Sequence, residues 1–194
     1  KINDRTLLTM TNCIAAGYNA LVMPEGKSHQ DSKLHRFKTG PMRFALNAAT
    51  LARHKGKSSP ALQPVGLHYR CHFWFRTDVF VEFGAPIEVM APNLEGTGEA
   101  LSSGEWLEPP STEVNSLKEE LFSALSKITP DAPDWNTYRA WHLIAHVRAN
   151  KDRKPLTTFK QEVLGARRVR DSVTRLESVD KLMQPSIQAA EILH

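Results

Sequence analysis

The sequence predicts an α/β fold followed by a wholly helical carboxy-terminal region. Three observations carry this. Up to about residue 90, stretches with apolar residues at helical spacing alternate with short apolar runs rich in strand-forming residues. Residues 91–112 are dense in Gly, Ser, Pro and Glu, the composition of a linker. From residue 113 onward the apolar residues recur only at helical spacing. The expected organisation is therefore part of an α/β domain over 1–90, a linker over 91–112 and a helical extension over 113–194.

Each element has a local reason. Leu7, Met10 and Ile14 lie one helical turn apart and predict a helix over 6–16. Gly17 follows, where a helix end favours a residue that tolerates positive φ. Ala20-Leu21-Val22-Met23, stopped by Pro24, predicts a buried strand. Residues 25–38 are polar and basic without a period, and predict a loop. Gly40-Pro41 opens a second helix, because proline suits a first helical turn. Its expected buried stripe is Phe44, Ala48 and Leu51, and His54-Lys55-Gly56 ends it. Residues 62–69 read as a second strand, interrupted near its start by Pro64. Residues 79–83 alternate as a third, stopped by Gly84-Ala85-Pro86. Beyond the linker, Leu117, Leu121, Leu125 and Ile128 line one helix ended by Pro130. A second is expected from about Asp134 to Arg148, with Tyr138, Trp141 and Ala145 on one face. A third starts after Pro155, with Phe159, Val163, Ala166, Val173 and Leu176 on one face.

The chain has 194 residues, enough for one domain or one domain with an appendage. With 41% hydrophobic and 24% charged residues, it has the composition of a folded domain. The net charge of +4 favours anionic partners such as phosphates, acidic lipids or nucleic acid, without choosing among them. Two cysteines, Cys13 and Cys71, with no Cys-x-x-Cys pair, exclude a disulfide framework and fit a reducing compartment. No apolar run approaches the roughly 20 residues of a membrane-spanning helix, and no signal peptide opens the chain. The chain begins at Lys1 and runs straight into a helical pattern, so we expect a piece of a longer protein, with any membrane anchor upstream.

The segment that carries chemistry runs from Val22 to Gly40. It reads as a strand end, a basic loop and a helix start, and ligands in open α/β sheets bind beyond the carboxyl ends of strands. The loop holds Lys27, Lys33, Arg36 and Lys38, with His29 and His35 among them. The amino end of the following helix favours an anion. A phosphate cradle and a plain solvated basic loop both fit this pattern, and Gly26 and Gly40 are consistent with either.

The residues themselves point to a family. Pro24-Glu25-Gly26-Lys27-Ser28-His29, followed by Phe37-Lys38-Thr39-Gly40, resembles the third sequence block of the glycerolipid acyltransferases. It is most similar to the eukaryotic-type glycerol-3-phosphate and dihydroxyacetone-phosphate acyltransferases, which carry Pro-Glu-Gly-Gly-Ser-His. The commoner bacterial form has an Arg where Ser28 stands. Pro64-Val65-Gly66-Leu67-His68-Tyr69 resembles the fourth block, and residues 79–87 the strand after it, in matching order and spacing. The resemblance covers about residues 7–90. It implies an acyltransferase-like α/β domain with a mixed sheet, and a phosphate-binding set of Glu25, Gly26, Lys27, Ser28, His29 and Lys38.

The resemblance also implies a reaction, acyl transfer from acyl-CoA or acyl carrier protein to a hydroxyl of a glycerol phosphate or lysophosphatidate. No metal and no cofactor beyond that co-substrate is implied. Its partners would be the phosphorylated acceptor, acyl-CoA and a membrane surface, at the cytoplasmic face. The family's catalytic block is His-x-x-x-x-Asp, whose His acts as general base and whose Asp orients it. No His here has an Asp five residues on. The family places that block upstream of the first helix, so this chain is expected to be inactive alone. A non-catalytic phosphate- or lipid-binding homologue is the alternative.

Three other groups stand out in the sequence. His142 and His146 sit four apart on a helix but lack the Glu of a zinc-protease signature, and read as a chance pair. Residues 68–76 mix bases with the contiguous aromatics Phe73, Trp74 and Phe75. We read them as a turn packed on the core, with a membrane- or acyl-facing loop as the competing reading. Arg167-Arg168-Val169-Arg170 reads as a solvated helix face, with contact to anionic lipid headgroups as the functional alternative. No nucleic-acid recognition motif is present, so a nucleic-acid partner is not expected.

Overall fold

The computed structural model describes residues 3–71, 73–173 and 185–189. The expectations that touched Lys1, His72 and Leu176 lie outside them. The elements in chain order are helices α1 (Asp4–Ala15) and α2 (Gly40–His54), then strands β1 (Ala61–Leu62), β2 (Val65–Tyr69), β3 (Val79–Phe83) and β4 (Ile87–Glu88). Helices α3 (Thr97–Ser103), α4 (Ser111–Ile128), α5 (Trp135–Lys151) and α6 (Phe159–Val173) follow. The architecture is mixed α/β, as expected, but the sheet differs. Among the described residues the strands form two separate pairs, β1 with β4 and β2 with β3, in place of one mixed sheet. The first pair is antiparallel. In the second, Arg70 N–H donates to Asp78 O and Gly84 N–H to Pro64 O, two bonds of one antiparallel register. Pro64 splits the stretch read as a single strand, because it supplies no N–H to a ladder. No helix among the described residues is long and apolar enough to cross a membrane.

The chain divides into two compact units. The first comprises Lys1–Ser28, His35–Val65 and Phe83–Leu125. Its centre is α2, packed against α1 and α3. The stripe read from the sequence is buried, but so are Met42, Ala45, Leu46, Ala49 and Ala52. Alanines carry little pattern in a sequence, yet they let neighbouring helices approach on every side of α2. Ala15, Ala48, Leu51, Ala52 and Leu101 form one cluster. Leu101 is wholly buried, which places α3 inside the stretch read as an unstructured linker. Asn47, also buried, donates through Nδ2 to Leu107 O at 2.7 Å. Along α4, Val114, Leu117, Leu121 and Leu125 make the buried stripe, matching the predicted helical spacing.

Local signals set the helix ends. Gly17 has φ +100°, and Tyr18 N–H donates to Cys13 O while Gly17 N–H donates to Ile14 O. This is the paired-bond termination that a glycine past a helix end predicts.

The second unit comprises His29–Leu34, Gly66–Glu82 and Ser126–His194. Here α5 packs on α6 around Ala132, Ala140, Trp141, Ala145, Ala166 and Val169. Asp134 caps α5, its carboxylate accepting from Thr137 N–H at 2.8 Å. Thr158 and Gln161 form a reciprocal capping box at the start of α6, with bonds of 3.3 and 3.2 Å. A strap over His29–Leu34 is held by Ser32, whose hydroxyl donates to Ala132 O at 3.0 Å.

Candidate functional site

The basic loop closes on itself in the first unit. Gly26 N–H donates to Met23 O at 3.1 Å, a turn with Pro24 at its second position and Gly26, at φ +67°, at its fourth. Lys38 N–H then donates to Pro24 O at 2.8 Å and fastens the far end of the loop to that turn. A Cβ on Gly26 would stand 3.0 Å from Lys38 Cγ, so the lysine stem runs over the glycine backbone. With φ at +67° the position favours glycine, and a side chain there would also press on the lysine stem. Phe37, buried beside Lys38, packs its ring at a 5.2 Å centroid distance from Phe122 and anchors this end.

The predicted site residues part company within this frame. Glu25, Gly26 and Lys38 are brought together. Glu25 is half-buried, and its Oε2 accepts His35 N–H at 3.2 Å, so its carboxylate fixes the loop backbone. Lys27, Ser28 and Lys38 are exposed, and their side chains make no ion pair among the described residues. His29 belongs to the second unit, where its Nδ1 accepts Asp31 N–H at 3.2 Å. Thr39 is the N-cap of α2 but supplies no side-chain bond, and the first turn holds no acidic residue. Arg43 in that turn is engaged by Glu108 through a paired guanidinium–carboxylate contact.

One expectation about this segment is overturned. Residues 20–23 are not a buried strand. Leu21 is 84% and Met23 62% exposed, and no strand among the described residues pairs with them. Apolar character marks a strand only where a neighbour accepts its backbone bonds, and here the run is an extended connection between α1 and the turn.

The second unit holds a polar cluster that sequence reading did not find. Glu82 on β3 accepts two bonds from Arg167 on α6, at 2.7 and 2.5 Å. The Arg167 guanidinium holds the Glu82 carboxyl below its ordinary range. His68 on β2 is 3% exposed and stacks on Phe80 at 5.4 Å. Its Nε2 lies 3.5 Å from Glu82 Oε2, an electrostatic contact, and neither ring nitrogen has a hydrogen-bond partner of good geometry among the described residues. Burial first, then the Arg167 charge, push the His68 imidazole below its usual value despite Glu82. The available signal was a glutamate in the middle of an otherwise apolar strand, which demands a buried partner.

The same geometry corrects the reading of residues 167–170. Arg167 serves Glu82, and Arg170 donates to Ser126 O, Thr129 O and Pro130 O at 3.0, 2.9 and 3.3 Å. Neither is part of a solvated face; among these arginines only Arg168 is exposed. The aromatic segment is corrected in the opposite sense. Phe73, Trp74 and Phe75 are 72%, 74% and 89% exposed, so the turn is not packed on the core. His142 is half-buried, its Nε2 unpartnered among the described residues, and the Tyr138 ring meets its face edge-on at 4.6 Å.

No family model and no solved structure matches the chain. Over 116 residues it is 30% identical to glycerol-3-phosphate O-acyltransferase 2 of Saccharomyces cerevisiae. The matched stretch is 60% of this chain and spans 14% of that protein. This likeness supports a relationship to the glycerolipid acyltransferases.

Proposed function

We propose that this chain is part of a glycerolipid acyltransferase, moving an acyl group from acyl-CoA or acyl carrier protein to a hydroxyl of a glycerol phosphate or lysophosphatidate. In this reading the loop between Pro24 and Thr39 binds the acceptor's phosphate. The observation that carries it is the bond from Lys38 N–H to Pro24 O, which seats Lys38 against the Gly26 turn. Lys27, one residue past that turn, and Lys38, one residue before the N-cap of α2, then offer two exposed ammonium groups with no ion pair among the described residues. The amino end of α2, whose own first turn holds no acidic residue, adds backbone amides. Lysines and amides hold a phosphate as charge-assisted donors. Fixing the phosphate positions the acceptor hydroxyl, and positioning of this kind lowers a barrier by several kcal/mol.

Glu25 is a loop-fixing residue in this scheme, since its carboxylate is spent on His35 N–H. The general base is a His-x-x-x-x-Asp residue that this sequence does not contain. That same observation favours a second reading, a non-catalytic phosphate-binding homologue.

Titration of the 194-residue chain with glycerol 3-phosphate tests the loop. Lys38→Ala should weaken binding about tenfold, the worth of one charge-assisted bond, and Glu25→Ala should weaken it by loosening the loop. Undiminished binding in both variants would remove the loop from the site. Acyl-CoA turnover should be undetectable with this chain alone; measurable turnover would contradict the assigned place of the base.

A further inference from the structure

The β2–β3 hairpin carries a feature that phosphate binding does not use. We infer that its tip is a docking loop that seats the protein on an anionic lipid surface. The juxtaposition is three contiguous exposed aromatics, Phe73, Trp74 and Phe75, with Arg76, a cation that has no acidic partner among the described residues, at their edge. Trp74 and Phe75, 74% and 89% exposed at one turn, forgo the burial that normally pays for ordering such rings, so a covering surface is expected. The apolar stretch continues onto one face of the hairpin, where Leu67, Tyr69, Val79 and Val81 are also exposed.

The neck of the loop is built to present these rings. Arg70 N–H donates to Asp78 O at 3.0 Å, and Arg70 Nε donates to Asp78 Oδ2 at 2.9 Å. Cys71 N–H donates to the Thr77 hydroxyl at 3.0 Å. Arg70 is further tied to Glu162 at 2.7 and 3.1 Å. The base is thus fastened while the tip stays in solvent, so little ordering entropy remains to be lost on docking.

Chemistry selects lipid as the occupant. Between Tyr69 and Thr77 there is no acidic residue, and Arg76, 5.2 Å over the Phe75 ring, has no acidic partner among the described residues. The Trp74 indole N–H likewise has no acceptor there. Rings that enter the acyl boundary, an indole N–H at headgroup depth and a cation on the phosphate plane are what an anionic membrane interface accepts. Asp78, the nearest acid in the sequence, is tied to Arg70, a cation it shares with Glu162. The inference stands on exposure and charge and does not depend on the acyltransferase reading.

Flotation of the full chain with phosphatidylcholine vesicles, with and without phosphatidylserine, tests it. The wild type should float with the serine-containing vesicles, with a blue shift of tryptophan emission. Trp74→Ser and Phe75→Ser should each lower partition about tenfold or more, from the apolar area withdrawn. Both residues are exposed, so thermal unfolding should match the wild type and separate lost docking from lost folding. Arg76→Glu should abolish the preference for phosphatidylserine. Failure of the wild type to float, or equal flotation of the Trp74→Ser/Phe75→Ser double variant, overturns the proposal. So does a sedimentation result in which that double variant abolishes self-association and leaves flotation unchanged, since the loop would then join two copies of this chain. Binding of glycerol 3-phosphate, measured in parallel, should be the same in every variant, and so the two readings fail independently.

Discussion

Acidification should weaken the second unit through several groups, His68 and Glu82 among them, and His142 is one whose share a single substitution isolates. Its imidazole is half-buried against Tyr138 on α5, with Nε2 unpartnered among the described residues. Burial pushes its pKa from 6.5 down to about 4, with Glu162 opposing and His146, Arg70 and His68 adding to the fall. The native state therefore refuses a proton that the unfolded chain accepts. A group whose folded pKa is depressed contributes stability that is present above its unfolded value and lost as pH falls through the folded one. Here that window runs from 6.5 down to about 4. At about 1.4 kcal/mol per pH unit, the gap amounts to about 3 kcal/mol, a large share of the stability of an ordinary domain.

The perturbation is His142→Phe, which keeps a ring against Tyr138 and removes both the titration and the orphaned nitrogen. At neutral pH the variant should be as stable as the wild type, or about 1 kcal/mol more so, because a buried unsatisfied atom is gone. Urea unfolding across the acid range, followed by the fluorescence of the tryptophans including Trp141, supplies both stabilities. Carboxylates titrate equally in the two proteins, so the difference between them isolates the imidazole. The wild type should lose about 3 kcal/mol more than His142→Phe on acidification. Parallel loss in the two proteins would refute the argument.

Three further outcomes follow from contacts in the structure. Gly66→Ala would set a Cβ 2.5 Å from Ile128 O, a backbone atom that cannot rotate aside; we expect about 2 kcal/mol or more of destabilisation in urea, and unchanged stability would show that β2 can shift. For Glu82 and Arg167, whose side chains are 18% and 17% exposed, a double-mutant cycle of Glu82→Gln and Arg167→Leu should report a coupling of about 1–3 kcal/mol. The contribution of Glu82 should be present above its unfolded pKa near 4.5 and be lost as pH falls through its lowered folded value; additivity of the two changes would dismiss the pair. Arg170→Ala frees the carbonyls of Ser126, Thr129 and Pro130 and should lower the thermal midpoint by an amount matching about 1–2 kcal/mol, whereas an unshifted midpoint would mean that water replaces the guanidinium.

The candidate loop was legible as a set of residues but not as an arrangement. Pro24, Gly26 and Lys38 could be picked out by type and spacing. That Lys38 folds back onto Gly26, and that Glu25 spends its carboxylate on His35 N–H, depends on closing a loop whose ends are held by two backbone bonds. The aromatics at 73–75 show the same limit. Their apolar character suggested burial, but nothing in a sequence states whether a neighbour exists to cover them.

Local chemistry, which a sequence contains in full, determined where helices begin and end. Gly17 past α1, Gly56 past α2 and Pro41 in the first turn of α2 act on bonds within a few residues, and α4, α5 and α6 fall where their apolar spacing puts them. Tertiary structure decided which apolar runs pair and which face of each strand is inside: residues 79–83 form the strand that their alternation predicts, whereas residues 20–23 pair with no strand among the described residues. Leu21 and Met23 stay exposed because no neighbouring strand receives their backbone. On β3 the more apolar face, Val79, Val81 and Phe83, points outward, while Phe80 and Glu82 turn inward. The reason is a charge 85 residues away: Arg167 meets Glu82, and a half-buried carboxylate needs that partner on the inner face, against the hydrophobic alternation around it.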